Sequence, residues 1–315
     1  MENVQANAQQ RLIGSFMVLL AAAGFSAKAI LVKLAYAYSA ELDAITLMTL
    51  RMLFALPFFL VVALWLQRQT HIPAPTRREL GLIAVLGMLG FYLASLLDFS
   101  GLAYIPAGLE RLILFLYPTL VVLFSALFYR RPVTIREKLA LTMSYLGIVV
   151  VFLQPLAVVP ARLWLGVALV FGSAVVFALY LILSGARVRR SGSIAYTTYA
   201  MTAASLAAGV HFGISHPVTA LDLPLQVYGL ALLMALFSTV LPAFLMHAGI
   251  HHVGAGPASI IGSTGPVATL FLAWWLLDEP LTLVQMAGAA MILTGVVFVS
   301  RTGVSTQKPK GIATS

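Results

Sequence analysis

Four charged side chains stand inside long apolar stretches of this chain: Lys28, Asp98, Glu110 and Arg111. Burying a charge without a partner is costly, so these groups are expected to face one another or a polar cavity. An ammonium or guanidinium group can bind a carboxylate, and a buried carboxyl group can take up and release a proton. These residue types therefore predict a site for a polar small molecule within an otherwise apolar protein.

Structural roles remain open for the same four residues. Lys28 is either a ligand for the bound molecule or one member of an internal ion pair. Asp98 and Arg111 flank the turn around Pro106, so we expect them to pair, which leaves Glu110 on another helix face to line the cavity. The alternative is a wholly structural triad, because an acid near a helix N-terminus is favoured without any function. If a proton is carried, Glu110 is the expected carrier.

Two tyrosines extend the predicted substrate-binding set. Tyr92 recurs at helical spacing with Ser95 and Phe99, and Tyr117 shares a helix face with Glu110. Stripes of this kind also arise from helix packing alone, which is the competing interpretation.

Histidines and two further cations offer weaker signals. His247 and His251 are spaced to share a helix face, but no carboxylate or cysteine accompanies them, so a metal site is not expected. His247 is predicted as a proton-sensitive cavity residue, with a purely interfacial role as the alternative. Lys33 is interpreted as reaching the membrane interface, and Arg51 as doing so or forming a structural pair.

Pro118 and Pro266 interrupt two apolar segments. Proline removes a backbone hydrogen bond and kinks a helix, so both positions are predicted hinges or kinks. A role in helix shape alone is the alternative, because kinks are common in membrane helices.

Composition identifies the surroundings of these residues. Of 315 residues, 61% are hydrophobic and 9% are charged, whereas soluble domains carry roughly 25% charged residues. Such a chain cannot cover its outside with polar groups, so its solvent must be lipid. The absence of cysteine excludes disulfides and thiol chemistry. No phosphate-binding loop, nucleophile elbow or zinc-protease motif occurs, so neither catalysis nor ATP-driven transport is indicated.

Ten segments are long and apolar enough to cross a bilayer, which takes about 20 residues per helix. They are residues 12–34, 44–66, 80–100, 106–128, 135–154, 163–184, 194–213, 225–247, 256–276 and 283–300. The first could instead be a cleaved signal peptide with a small-residue site at 27–29. Its counterpart at 166–183 lies mid-chain, which favours a retained helix.

An internal repeat organises these segments. Residues 81–151 recur as 229–299 at an offset of 148, with helix-punctuating glycines and prolines in register. A looser match links residues 14–25 to 166–177 at an offset of 152, which makes Tyr180 the counterpart of Lys28 and adds it to the predicted site. The second copy lacks the other charges, since the positions of Asp98, Glu110 and Arg111 are occupied by Met246, Ala258 and Ser259.

Loop charges predict the orientation. Fourteen basic residues lie in the termini and the even-numbered loops, and one, Arg162, lies in an odd-numbered loop. Positive loops stay inside, so both termini are expected to be cytoplasmic. Five helices per half then give two repeats of inverted topology. We expect an N-terminal segment (residues 1–11), a first half (12–154), a second half (163–300) and a cytoplasmic tail (301–315).

The second half resembles the EamA-type transporters of the drug/metabolite transporter superfamily. The resemblance is carried by Gly265, Pro266, Trp274-Trp275, the run Asp278-Glu279-Pro280-Leu281-Thr282, Gln285, Gly288 and Gly295. The first half departs from that pattern, with Arg131 at the position of Glu279. The resemblance covers essentially the whole chain and implies an all-α fold of ten transmembrane helices in two inverted five-helix repeats. It also implies export of small metabolites, commonly amino acids, through a central cavity without an organic cofactor.

The sequence therefore predicts a secondary transporter that exports a small metabolite across the cytoplasmic, or inner, membrane by alternating access. An importer or uniporter of a sugar, nucleoside or drug is the alternative, and a non-transporting membrane protein is a third possibility. The expected partners are a small-molecule substrate, protons as a candidate coupling ion, and the lipid bilayer. No nucleic-acid partner, metal or other cofactor is expected, and the assembly is predicted to be a monomer or a homodimer.

Overall fold

All regular structure in the described part of the chain is helical. The computed structural model describes residues 2–68, 75–128, 133–152, 162–253, 258, 261–262 and 264–302, and no strand occurs within them. The helices are α1 (Glu2–Tyr38), α2 (Ala44–Gln67), α3 (Arg77–Leu102), α4 (Ala107–Phe128), α5 (Ile135–Phe152), α6 (Leu163–Ser191), α7 (Ser193–Ser215), α8 (Leu225–Val253), α9 (Gly265–Leu277) and α10 (Leu283–Thr302). A short 3₁₀ turn, Val218–Leu221, precedes α8. The prediction of an all-α protein is confirmed.

Six of these helices are long and apolar enough to cross a bilayer: α1, α2, α3, α4, α6 and α8. A helix satisfies every backbone hydrogen bond within its own segment, which is why an apolar chain in lipid adopts it. Large apolar side chains such as Leu64, Trp164 and Leu225 remain exposed on the outside of the bundle, as a lipid-facing surface requires.

Local signals set where several helices begin. Asp43 starts α2, because its side chain accepts a 2.7 Å hydrogen bond from the backbone N–H of Thr46. Thr76 and Glu79 form a reciprocal capping box at the start of α3. Gly192 separates α6 from α7 and has a φ of 76°, a conformation that favours glycine.

Equivalent glycines bring equivalent helices together. A Cβ on Gly101 in α3 would lie 2.5 Å from Val170 Cγ2 in α6, and 3.0 Å from the carbonyl oxygen of the residue four positions before Val170. A Cβ on Gly249 in α8 would lie 2.4 Å from Val18 Cγ2 in α1, and 2.9 Å from the carbonyl oxygen of the residue four positions before Val18. The two contacts involve residues that match at the offsets of 148 and 152.

Irregular turns also recur at matching positions. A π-helical segment interrupts α3 at Met88–Leu93, between Arg77–Gly87 and Ala94–Leu102. Another interrupts α8 at Leu236–Val240, between Leu225–Ala235 and Leu241–Val253. The two segments start 148 residues apart, and π turns of this kind are frequent at functional sites.

Candidate functional site

A cavity of about 800 Å³ lies inside the bundle. Charged side chains gather in one part of its wall, namely Lys28, Arg51, Asp98 and Arg111. Phenylalanine and tyrosine side chains line much of the remainder, namely Phe25, Phe59, Phe91, Phe115, Tyr117, Phe177, Tyr180 and Tyr196. The cavity therefore offers both ion pairing and apolar contact to a ligand.

From the charged part, the cavity extends to one end of the bundle. Val188 near the end of α6, Ser193 at the start of α7 and Ile250 near the end of α8 all line it. Ser193 follows the exposed residue Gly192, so the cavity extends close to this end of the bundle. We call this the basic end, because the arginine-rich end of α6 lies there.

One lysine connects two carboxylates at the charged part of the cavity. Lys28 in α1 donates a hydrogen bond to Asp98 Oδ2 in α3. Its Nζ also lies 3.6 Å from Oε1 of Glu110 in α4. The side chains of Lys28, Asp98 and Glu110 are 16%, 2% and 0% exposed, respectively. The cluster thus joins three helices through a nearly dry ionic contact.

Two arginines add positive charge to the same region. Arg51 is 5% exposed, donates a 3.1 Å hydrogen bond to Ser95 Oγ and lies with its guanidinium carbon 4.8 Å from the centre of the Phe99 ring. Arg111 has no hydrogen-bond partner for Nε among the described residues. A Cβ on Gly265 would lie 3.2 Å from Arg111 Nη2, so glycine leaves room for this guanidinium at the start of α9.

Comparison with known proteins identifies the family to which this chain belongs. The EamA-like transporter family matches the chain twice, over residues 12–153 and 164–301. The chain belongs to the EamA-like transporter family. It is therefore a multi-pass membrane transporter and not an enzyme. The family match confirms the predictions of a membrane transporter and of a protein that is not an enzyme.

Individual relatives agree with this assignment. The uncharacterized transporter YcbK of Bacillus subtilis strain 168 is 32% identical over 312 residues, and the match covers 97% of each chain. The uncharacterized transporter sll1319 of a Synechocystis species is 24% identical, over 93% of this chain and 95% of its own length. A solved crystal structure with a TM-score of 0.62 and 18% identity covers 94% of this chain and 97% of the other, which shows a shared fold.

Six of the eight residues predicted to bind substrate line the cavity of this EamA-like transporter. They are Lys28, Asp98, Arg111, Tyr117, Tyr180 and His247. His247 also bonds through Nδ1 to the carbonyl oxygen of Ala243, at 2.5 Å. No group of three metal-ligating side chains occurs in the described part of the chain. Whether the six residues bind substrate stays a prediction.

The remaining two residues, Tyr92 and Glu110, do not line the cavity. Tyr92 is bonded through its hydroxyl to His211 Nδ1 at 2.7 Å. It lies within the π-helical segment of α3, and the extra residue of a π turn breaks the regular stripe that was expected to join Tyr92 to Ser95. Glu110 is fully buried behind Lys28. Among the described residues, the ion-pair partner of Asp98 is Lys28 and not the expected Arg111.

The two predicted proline sites differ in their helix context. Pro118 follows a break in α4, which consists of Ala107–Leu114 and Tyr117–Phe128. Pro266 lies in the first turn of α9, where proline is well tolerated because its missing N–H would be unpaired anyway. The hinge role of both residues stays a prediction.

Sequence reasoning assigned no binding role to several residues that line the cavity. Arg51, which is predicted to be structural or interfacial, is buried and lines the cavity. The offsets could have found others, because Phe25 maps to Phe177 and Phe91 maps to Thr239, and all four line the cavity. Ser259, the counterpart of Arg111, lies outside the described residues.

Proposed function

We propose that this EamA-like transporter exports small metabolites, amino acids or related compounds, across the cytoplasmic membrane by alternating access. The observation that carries the proposal is the 800 Å³ cavity with its cluster of opposite charges. Sites of several hundred Å³ that are mostly apolar, with a few convergent polar groups, are typical of small-molecule binding. A membrane helix has no structural need for so many charges, so they favour a polar ligand.

The architecture we propose has ten membrane helices in two inverted five-helix repeats, with both termini cytoplasmic. Matching contacts of Gly101 and Gly249 support the internal symmetry. The concentration of basic residues in the even-numbered loops supports the orientation. With this orientation the basic end is cytoplasmic, and the cavity of the described state faces the cytoplasm. A substrate could then enter from inside, as export requires.

The charge balance favours a ligand that carries a carboxylate. Three cations, Lys28, Arg51 and Arg111, stand against two carboxylates, Asp98 and Glu110. Arg111 has no carboxylate partner among the described residues, and its planar fork matches a carboxylate in two hydrogen bonds. We propose Arg111 and Lys28 as ligands for the substrate carboxylate. The ammonium group of an amino acid would then bind near Asp98.

Glu110 is the proposed proton carrier. Glu110 and Asp98 both approach the single ammonium of Lys28. Two buried carboxylates beside one cation repel each other, and a proton on either relieves that repulsion. A substrate carboxylate that draws Lys28 away would strengthen the repulsion and favour proton uptake by Glu110. Substrate and proton binding are therefore coupled through Lys28.

Counterflow into proteoliposomes tests the transport proposal. Vesicles loaded with unlabelled amino acids and diluted into a labelled mixture should accumulate label without any ion gradient. Lack of label with amino acids, but accumulation with sugars or nucleosides, would contradict the proposed substrate class. An imposed gradient in vesicles of defined orientation then separates export from import.

The proton proposal is tested with Glu110→Gln. We expect this variant to retain exchange but to lose the pH dependence of net transport, because the amide cannot titrate. Glu41→Gln removes an exposed carboxylate from a loop and is the matched control. If Glu110→Gln transports as well as the parent at every pH, Glu110 is structural.

A further inference from the structure

An ion pair joins the two halves at the end of the bundle opposite the basic end. His216 follows α7, and its Nε2 lies 2.7 Å from Oδ2 of Asp43, the residue that caps α2. The ring of His216 also stacks on Phe212, with 5.3 Å between centres and 5° between planes. The contact therefore has a fixed geometry between a loop of the first half and a helix end of the second.

Each ring nitrogen of His216 has an oxygen partner at hydrogen-bond distance. Ser215 Oγ lies 2.7 Å from the carbonyl oxygen of His211 and 2.7 Å from His216 Nδ1. A hydroxyl has one proton and a carbonyl oxygen can only accept, so Ser215 donates to His211 and accepts from Nδ1–H of His216. The carboxylate of Asp43 requires Nε2–H as a donor. Both ring nitrogens thus face acceptors, and an imidazolium ring donates to both of them.

A second carboxylate crosses between the halves at the same end. Glu279, in the turn between α9 and α10, accepts hydrogen bonds from the backbone N–H groups of Ala107 at 2.7 Å and Gly108 at 3.0 Å. These are the first residues of α4, where a negative charge is favoured. The end with Asp43 and Glu279 is thus held together by contacts between the halves, while the cavity reaches the opposite end.

We propose that Asp43 and His216 form a proton-sensitive clasp that closes this end of the transporter and loosens when His216 loses its proton. The proposal rests on the alternating-access function proposed above. In that cycle the clasp holds the outer end closed while the cavity faces the cytoplasm. Deprotonation removes one of the two donors of His216, and with it the charge that Asp43 binds.

The direction of the pH effect follows from the two titrating groups. Partial burial acts to raise the pKa of Asp43, but hydrogen bonds from Thr46 and His216 outweigh it and hold that pKa below its usual value. Asp43 therefore stays ionised under mildly acidic conditions, and the clasp is lost at low pH only when Asp43 is protonated. As pH rises, loss of the imidazolium proton removes the charge that Asp43 binds, so the clasp opens.

Other charged groups near the clasp have separate positions. Of the described residues, Asp43 is the one that forms an ion pair with His216. His211, one turn earlier on α7, is bonded to Tyr92. Glu41 and Asp222 stand in the two loops beside the clasp, and neither forms an ion pair with His216 in the described part of the chain.

A distance measurement tests the clasp directly. The chain contains no cysteine, so Ala40→Cys and Val218→Cys introduce two unique sites for spin labels. Both residues are exposed, and they flank Asp43 and His216. Pulsed electron paramagnetic resonance in lipid nanodiscs at pH 6 and pH 8 gives the distance distribution. Loss of one charge-assisted hydrogen bond should raise the ratio of long to short distances by on the order of tenfold at pH 8.

Variants distinguish the clasp from a general effect of pH. Asp43→Asn keeps the cap on α2, since asparagine caps helices well, but it removes the charge, and His216→Gln removes the titrating ring. Both should give the same distribution at pH 6 and pH 8, whereas His211→Gln should keep the shift. A parent protein without a shift, or a shift that persists in His216→Gln, would overturn the clasp. Failed counterflow would instead contradict the transport proposal and leave the distance result intact.

Discussion

Gly101 in the first half and Gly249 in the second half pack in the same way, each against a valine and a carbonyl oxygen of a neighbouring helix. Lys28 and its counterpart Tyr180 both line the cavity, but only Lys28 carries a charge. Asp98 likewise lines the cavity together with its counterpart Met246. The halves therefore share their packing and differ in their chemistry.

That difference separates what the fold needs from what the site needs. Helix packing tolerates Met246 and Tyr180 at positions where the other half has Asp98 and Lys28, so the charges are not a requirement of the architecture. Their shared location at the cavity instead favours a role in binding. Lys28 and Asp98 lie in the first half, whereas their sequence counterparts Tyr180 and Met246 in the second half are uncharged.

Removing the charge from Lys28 should cause the largest loss of stability, and a much larger one than a change at its counterpart in the second half. Lys28→Met leaves Asp98 and Glu110 buried without their cation, and removal of one partner of a buried ion pair costs about 3–5 kcal/mol. We expect this loss in the free energy of unfolding, measured by denaturant titration in detergent, together with loss of counterflow. Tyr180→Phe, which changes the counterpart residue, should cost less than about 1 kcal/mol.

A triple variant separates stability from transport. Lys28→Met combined with Asp98→Asn and Glu110→Gln removes all three charges, so most of the lost stability should return. Counterflow should remain absent because no ammonium is left to bind a carboxylate. If Lys28→Met is as stable as the parent, the charges of Lys28, Asp98 and Glu110 are not coupled. The difference in charge between the halves then contributes nothing to the free energy of unfolding.

The internal repeat allowed much of this arrangement to be predicted. Gly101 and Gly249 matched in sequence, and their contacts match in space. The cost of a charge in lipid predicts a polar cavity around Lys28, Asp98 and Arg111, and all three line the cavity. These features depend on composition and on local spacing, both of which can be read along one chain.

The pairing of side chains between helices could not be predicted in the same way. Asp98 and Arg111 are close in sequence across a turn, yet Lys28 from the distant α1 is the partner of Asp98. The way the helices pack against one another determines which side chain lies nearest to Asp98. The spacing of apolar residues along the chain does not encode that packing. Tyr92 lies away from the cavity for a local reason, because no sequence signal indicated the π-helical segment in which it stands.

The same substitution at two equivalent glycines tests whether the two halves share their packing. Gly101→Ala and Gly249→Ala each place a Cβ about 2.5 Å from a valine methyl carbon. Overpacking of this kind costs about 1–3 kcal/mol. We expect the two variants to lose similar amounts of unfolding free energy, measured under the same detergent and denaturant conditions.

The control for this pair comes from another set of equivalent glycines. Gly81 and Gly229 also match at the offset of 148, and a Cβ on either meets nothing within 4 Å. Gly81→Ala and Gly229→Ala should therefore be neutral or slightly stabilising, since alanine favours helix. Strongly unequal costs for Gly101→Ala and Gly249→Ala would break the proposed equivalence of the halves.

The smallest expected effect concerns Glu279, whose counterpart in the first half is a cation, Arg131. An arginine cannot accept hydrogen bonds, so it cannot reproduce the contact that Glu279 makes with Ala107 and Gly108. Glu279→Gln keeps one acceptor oxygen and loses the charge, which should cost about 1 kcal/mol of unfolding free energy. Asp278→Asn changes the neighbouring exposed carboxylate and is the matched control.

The same pair of variants shows whether the Glu279 contact helps to close the end opposite the basic end. With spin labels at Ala40→Cys and Val218→Cys, Glu279→Gln should increase the fraction of long distances at pH 6, because one contact between the halves is weakened. Asp278→Asn should leave the distribution unchanged. An unchanged distribution in Glu279→Gln would mean that this carboxylate stabilises the start of α4 without holding the two halves together, and that closure depends on Asp43 and His216.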